Sequence, residues 1–370
     1  MRISLRFVIP TERQRVERIS KRIAHIGLPL RRCNPPSDNP YIKLIFTLTF
    51  HAKCNKIIVY AIHYFPKEGE NMASSYVAVV GAINIDIWGK SSSVLILRDS
   101  NPGEIMYSFG GVGRNIAHNL SLMGQNVSML TAIGDDHWGP QVKKACADIG
   151  IDLSHAFLVP GSRTGTYLAL SGPDGDMAIA LSDMAIADAI SPEVIMSELD
   201  FLNGAQLVII DGNLSSETIE CICENVTAPI FADPVSVTKG RKLLPYLGKL
   251  HTFKPNSLEA EDLTGTSTPE EAAMELLNMG VEKVFVSDGG NGIVVAEEGK
   301  VFRVPCLPTI LVNATGGGDA AMAALCDSFC RGLSSEEAAK RAVAAGSIAV
   351  ESAETISPLM SKEAIEEKLR

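Results

Sequence analysis

The sequence predicts an α/β fold: a three-layer sandwich with helices on both faces of a mainly parallel central sheet, and a small separate β-sheet acting as a lid. Three observations predict it. From Met72 onward, short β-branched runs alternate with segments of helical period, the signature of a parallel sheet between helices. A second set of short, turn-bounded apolar segments lies outside that alternation. Glycine-rich turns run directly into helical segments at two places far apart in the chain, Phe109–Gly124 and Val312–Leu333.

The core strands are expected at Val77–Val80, Val127–Ala132, Leu207–Asp211, Ile230–Asp233, Thr252–Lys254, Val284–Ser287 and Ile293–Ala296. Between them the apolar spacing predicts helices over Asn115–Met123, Pro140–Asp148, Ser216–Glu224, Pro269–Met279 and Asp319–Arg331. The lid is expected from Val94–Arg98, Glu104–Ser108, Thr166–Leu170 and Met177–Leu181, within lid segments 93–109 and 165–182. Ligands of open α/β sheets bind beyond the carboxyl ends of the strands, which is where such a lid would sit.

Residues 1–71 read differently from the domain at 72–370. They hold 13 Lys/Arg and 5 Asp/Glu, against 20 and 38 in the remainder, and are expected to be an atypical N-terminal extension, poorly ordered or not native, with Met72 as a natural start. The run from Tyr41 to Phe65 is interrupted by Lys43, His51, Lys53 and Lys56, so a membrane-spanning helix is not expected there. The acidic body argues against nucleic-acid and anionic-membrane partners, which require a basic face, and favours a small-molecule ligand. Eight cysteines stand without paired C-x-x-C spacing, which points to a reducing, cytoplasmic setting.

The stretch VNATGGGDAAMAALCDSFCRGL carries the most chemistry. Gly316, Gly317 and Gly318 lead straight into an Ala/Met/Leu-rich helix, so unobstructed N–H groups and the positive end of the helix dipole converge as an anion hole. Asp319 opens that helix, placed to take the proton of a hydroxyl beside a bound phosphate; an N-terminal capping role is the alternative. FGGVGRNIAHNLSLMG begins with a Gly-Gly turn, Gly110 and Gly111. A dinucleotide fingerprint fails here because Ile116 occupies the third glycine's position. The turn can instead admit a sugar close to the backbone, with Asn115 as donor and acceptor or as a helix cap.

Asn84 and Asp86 in GAINIDI end the first core strand, two residues apart and so on one face; they suit a clasp for vicinal hydroxyls or plain turn chemistry. In HTFKPNSLEAEDLTG, Asn256 and Glu259 open a helix after Lys254. They could hold a hydrated Mg²⁺ beside phosphates or form a capping box. VSDGGNGI offers a glycine-rich turn for a nucleotide, or an ordinary hairpin turn.

In this order and combination, the segments resemble the PfkB/ribokinase family of carbohydrate and nucleoside kinases over residues 76 to 355, the pairing of GGVGRN with TGGGD being the specific part. The resemblance implies a ribokinase-like fold and an ATP-dependent phosphotransferase with Mg²⁺. It further implies Asp319 as catalytic base, Gly316–Gly318 as anion hole, and Asn84, Asp86, Gly110, Gly111 and Asn115 as ribose ligands. By the same resemblance Asp99, Ser100 and Asn101 of the lid touch the ribose or base, Asn256 and Glu259 govern Mg²⁺ and phosphate, and Ser287, Gly289 and Gly292 line the ATP site. The strings DSNPGEI, LSDMAIADAIS and FADPVS resemble the pseudouridine kinase subgroup, which implies pseudouridine as acceptor and its 5′-phosphate as product, with ribose, another nucleoside or a sugar phosphate as alternative acceptors. A non-catalytic ligand sensor is the reading from another class, disfavoured by the intact Asp319 and its glycines. Two departures stand out: Gly317 replaces the family's usual Ala, and Asn313 stands where many relatives have an Asp of a K⁺ site. A homodimer is expected from the family's habit of pairing lids between subunits.

Overall fold

The computed structural model describes residues 43–51, 56–64 and 75–370. Ahead of the domain, β1 (Lys43–His51) and β2 (Lys56–Tyr64) pair antiparallel; the rest of the N-terminal extension, Met72 included, lies outside the described residues. The remaining strands in chain order are β3 (Val77–Val80), β4 (Asn84–Ser91), β5 (Gly103–Gly110), β6 (Val127–Leu130), β7 (Ala132–Gly134), β8 (Ile151–Asp152), β9 (Phe157–Val159), β10 (Gly165–Ser171) and β11 (Met177–Asp183). They continue with β12 (Leu207–Asp211), β13 (Ile230–Asp233), β14 (Thr252–Phe253), β15 (Lys283–Ser287), β16 (Ile293–Glu297) and β17 (Lys300–Val304).

Nine strands form the central sheet in the order β17-β16-β15-β14-β13-β12-β3-β6-β8. It is parallel from β8 to β15, and only the β15–β16 and β16–β17 pairings at one edge are antiparallel. The core strands are buried on both faces because their alternate side chains feed two separate apolar layers. Val77, Val79, Leu207 and Ile209 pack on one side with the helices Val112–Leu122, Gly317–Cys330 and Ser335–Val350. Ala78, Val80, Val208 and Ile210 pack on the other with the helices Ser216–Asn225, Ser257–Thr264 and Pro269–Asn278. Each fully buried Val, Leu or Ile contributes about 1.5–3 kcal/mol, so a charged residue at Ile209 would unseat the sheet from its inner layer. Among the described residues no helix is long and apolar enough to cross a membrane.

The lid is a second sheet, ordered β11-β10-β4-β5. Two expectations are corrected here. Asn84 and Asp86 do not end the core strand; that strand stops at Val80, and both residues open the lid strand β4. Val94–Arg98 is no strand, because the Asn101 side chain accepts from Ile96 N at 2.7 Å and donates to Ile96 O at 3.0 Å, consuming groups a ladder would use, while Arg98 turns to φ 66°. The lid therefore spans 84–110 and 165–183 rather than 93–109 and 165–182.

Lid register separates two faces. Asp86 lies across from Ser108 on one side and Tyr167 on the other, a polar row; Ile87 lies between Tyr107 and Leu168, an apolar one.

Candidate active site

The site is assembled where the core strands β12, β13 and β14 end and two helices begin. Asp211 and Asp233 are the last residues of β12 and β13, both buried, and Lys254 follows β14. Its Nζ lies 3.2 Å from Asp233 Oδ2, and both side chains are nearly inaccessible.

Gly316 caps the Gly317–Cys330 helix with φ 86°, in the region that favours glycine. A Cβ at Gly316 would stand 2.0 Å from Thr355 O, and one at Gly317 would stand 2.9 Å from Val350 Cγ1. At Gly316 the backbone thus packs where no side chain fits, whereas at Gly317 a side chain would require Val350 to shift. Asp319 occupies the first helical turn, and Asn115 Nδ2 donates to its Oδ2 at 2.9 Å. Burial pushes the Asp319 carboxyl up to about 7; Asp233 and Asp211 add to the rise, while the Asn115 hydrogen bond and Lys254 oppose it. Such a carboxyl is poised to exchange a proton near neutral pH. Burial likewise raises Asp211 to about 6, against hydrogen bonds from the Asn213 and Gly113 backbone.

Asn115 reaches Asp319 because the Val112–Leu122 helix starts at the Gly110–Gly111 turn and packs on the Gly317–Cys330 helix. Gly111 adopts φ 104°, and a Cβ there would meet Ala82 O at 2.4 Å. Asp86 lies directly over Gly110: a Cβ would sit 2.0 Å from its Oδ2. Asn84 Nδ2 donates to Asp86 Oδ1 at 2.6 Å, and the Asp86 carboxyl is raised by burial against the opposing pull of Asn84 and Arg114. Asn84, Asp86, Gly110, Gly111 and Asn115 are thus gathered at one helix start, Asn115 lying about 6 Å along the axis from Gly111 at 1.5 Å per residue.

Asp99, Ser100 and Asn101 are not brought there. They lie in the turn joining β4 to β5, with Ser100 N and the Asn101 side chain engaged only by Asp99 and Ile96. The Ser91–Gly103 pair at that tip is seven residues along the ladder from Asn84–Gly110, roughly 23 Å at 3.3 Å per residue.

Asn256 and Glu259 form a reciprocal capping box, Asn256 N donating to Glu259 Oε2 at 2.8 Å and Glu259 N to Asn256 Oδ1 at 2.9 Å. The bland alternative is therefore real, yet Glu259 also belongs to the cluster. Its carboxyl is raised by burial and by Asp233, while the Asn256 backbone and Lys254 pull it down. Ser287 bridges to Asn256 and its N–H donates to Pro255 O at 3.0 Å. Gly289, φ 50°, is exposed with open space around its Cα, whereas at Gly292 a Cβ would meet Val304 O at 2.0 Å. Arg303 pins the turn from behind, 2.7 Å from Asp288. The Asn313 side chain is committed to Ala353 O and Thr315 N.

Lys254, Asp233 and Asp211 went unassigned from sequence. The signal that could have found the acids is a carboxylate closing a buried strand at the carboxyl end of a parallel sheet.

Residues 74–362 match the model of the pfkB family carbohydrate kinases. The chain is 35% identical over 293 residues to the pseudouridine kinase of Escherichia coli K12, covering 77% of this chain and 94% of that one. It is 34% identical over 293 residues to an uncharacterized sugar kinase, YeiI, of the same strain, covering 77% and 81%. The structure of Arabidopsis thaliana ribokinase complexed with ribose and ATP superposes with a TM-score of 0.71 at 21% identity, over 80% of this chain and 99% of that one. The fold is ribokinase-like, and with residues 74–362 matching the family model the chain belongs to the pfkB family of carbohydrate kinases.

Proposed function

We propose that this kinase transfers the γ-phosphoryl group of ATP to the 5′-hydroxyl of pseudouridine, with Asp319 as general base. The observation that carries the reading is the half-buried Asp319 carboxylate, oriented by Asn115, in the first turn of the helix that Gly316 caps. The acceptor hydroxyl gives its proton to Asp319 as its oxygen bonds to the γ-phosphorus. The bond from that phosphorus to the bridging oxygen breaks, and ADP leaves with the electron pair. Gly316–Gly318 stabilise the transferring group through backbone N–H donors, the kind of fixed dipole that costs no reorganisation during reaction. Asn84 and Asp86, over Gly110, bind the ribose hydroxyls; Ser287, Gly289 and Gly292 border the nucleotide.

Glu259 and Asp233 supply hard oxygen donors beside the phosphate position, and the capping box occupies one Glu259 oxygen. That fits Mg²⁺, which keeps much of its water and takes few protein ligands; when bound, it neutralises phosphate charge. The acceptor assignment is supported by the 35% identity to a pseudouridine kinase and by the absence of Lys or Arg from 99–104 and 174–183, where a second phosphate would need one. The apolar lid face supports a homodimer: Ile105, Tyr107, Ile179 and Leu181 are 57–80% exposed, too much apolar surface for one sheet face to leave in water. Asp99–Asn101 then serve at a lid closed by its partner rather than in the isolated chain.

The test is ATP consumption with Mg²⁺ and pseudouridine, uridine, adenosine or ribose in parallel, repeated with Asp319→Asn. Turnover confined to pseudouridine, with kcat lowered by about 10²–10⁴ in the variant, supports both acceptor and base. Preference for ribose or adenosine reassigns the acceptor, and ATP binding without any turnover overturns the kinase reading.

A further inference from the structure

We propose that Asp136 is a positioning residue for the acceptor: its carboxylate fastens the lid to the body at Thr164 and so holds the Asn84–Asp86 pair over the Gly110–Gly111 turn. The inference rests on the functional reading above, which assigns that pair to the acceptor, and adds a residue that the reading leaves out.

Asp136 lies in the turn between β7 and the Trp138–Asp148 helix. Its Oδ1 accepts from Trp138 N and Gly139 N, each at 3.1 Å, which is the ordinary work of a carboxylate at a helix start. Two further bonds leave the turn. Thr164, 28 residues on, donates its N–H to Oδ2 and its hydroxyl to Oδ1, both at 2.8 Å. Asp135 Oδ2 grips the same segment through Gly161 N at 2.9 Å. The two segments also approach closely: a Cβ at Gly134 would stand 2.4 Å from Thr164 N, and Thr164 is 2% exposed. Burial acts to raise the Asp136 carboxyl, but the hydrogen bonds from Thr164, Gly139 and Trp138 hold it below its ordinary value, so these donors meet a carboxylate.

Thr164 is the last residue before the chain leaves the body for the lid. β9 pairs with β7 in the body, and β10 opens at Gly165, directly beside Asn84 in the parallel ladder. Contact there is tight, since a Cβ at Gly165 would stand 3.3 Å from Asn84 Cβ. Two residues on, Tyr167 lies beside Asp86. The other flank of β4 is touched from the same turn: the Trp138 ring packs on Tyr107 of β5 with centroids 5.2 Å apart, and Tyr107 lies beside Ile87. β4, which carries both Asn84 and Asp86, therefore runs between two strands that one turn of the body holds. Asn84 in turn lies against Gly111, its Oδ1 3.1 Å from where a Cβ would stand, so a tilt of β10 at Thr164 is felt at the acceptor position.

The experiment uses the full chain as wild type, Asp136→Asn, Thr164→Val, Thr164→Ser and the Asp136→Asn/Thr164→Val double variant. Asp136→Asn keeps the shape but turns one acceptor oxygen into a donor facing other donors. Thr164→Val removes only the hydroxyl and leaves the helix start intact. The acceptor KM should rise about tenfold in Asp136→Asn, the order set by one hydrogen bond to a charged group, and severalfold in Thr164→Val, while the ATP KM stays within about twofold. Thr164→Ser, which keeps the hydroxyl, should match the wild type. The double variant should be no worse than Asp136→Asn alone, because partners in one bond are not additive. Amide hydrogen exchange should quicken in β4 and β10 and stay unchanged in the core strands. Should Asp136→Asn fail to fold, Thr164→Val against Thr164→Ser decides by the same readings. Acceptor and ATP KM rising together, or stability lost with lid exchange unchanged, overturn the proposal and leave Asp136 a helix cap. If the wild type phosphorylates none of the acceptors, the functional reading fails, and the exchange of the lid strands still decides whether Asp136 fastens them.

Discussion

Asn115 Nδ2 donates to Asp319 Oδ2 at 2.9 Å, joining two helix starts that lie 204 residues apart in the chain. The donor favours the ionised carboxylate, and the geometry leaves Asn115 Oδ1 buried without a partner among the described residues. A buried acceptor of this kind is costly unless a ligand's donor meets it.

With Asp319 raised to about 7 by burial, the base is ionised above that pH and protonated below it, so kcat should fall as pH drops through about 7. Asn115→Ala removes an interaction that opposes the rise, so the limb should move to higher pH. A hydrogen bond to a charged group is worth about 1.5–3 kcal/mol, so kcat above the limb should fall by roughly tenfold or more. An unchanged limb would mean that the amide does not orient the base in solution.

Stability should carry the same signature with the opposite benefit. A carboxyl whose folded-state pKa lies above its unfolded one leaves the folded chain holding more protons between about 4 and 7. Folding stability therefore declines as pH rises through that window. Asp319→Asn stays neutral and escapes the loss. Its melting temperature should exceed that of the wild type at pH 8 and match it near pH 4, as read by calorimetry at both pH values.

Gly110→Ala places a methyl group 2.0 Å from where Asp86 Oδ2 now lies, so the clasp must shift. We expect the acceptor KM to rise at least tenfold while the ATP KM stays within twofold. Equal losses for both substrates would indicate a collapsed helix start instead.

The lid makes a prediction about assembly. Across one face, register aligns Tyr107, Ile87, Leu168 and Leu181 in one row and Ile105, Gly89, Leu170 and Ile179 in the next. Leu181→Lys and Ile179→Glu together should convert a dimer to a monomer in sedimentation velocity, with little change in melting temperature because both side chains are exposed. A wild type that sediments as a monomer at micromolar concentration would refute the dimer.

Much of this molecule is local in origin. β-branched runs such as Val77–Val80 and Leu207–Asp211 could be read directly, because a parallel strand buried on both faces needs a continuous apolar string. The glycines at 110, 111 and 316 were equally legible, since a backbone that approaches another chain segment or adopts positive φ demands that residue type. Elements with weaker local signals were harder to read. The Ser335–Val350 helix is Ala-rich and buried along most of its length, so it lacks the amphipathic contrast on which periodicity depends. Nothing in GAINIDI marks where the chain crosses from core to lid, so the start of the lid strand at Asn84 looks in sequence like the end of the core strand.

What the sequence by itself determined is the parallel α/β frame, the glycine turns and the carboxylate that opens the glycine-capped helix. What only the tertiary structure decided is which polar groups meet: the Asn115 amide with Asp319, Lys254 with Asp233, and near them Asp211 and Glu259. The physical reason is range. Strand and turn preferences are set by neighbours within a few residues, whereas the state of a buried carboxyl depends on desolvation and on charges delivered by strands and helices distant in sequence.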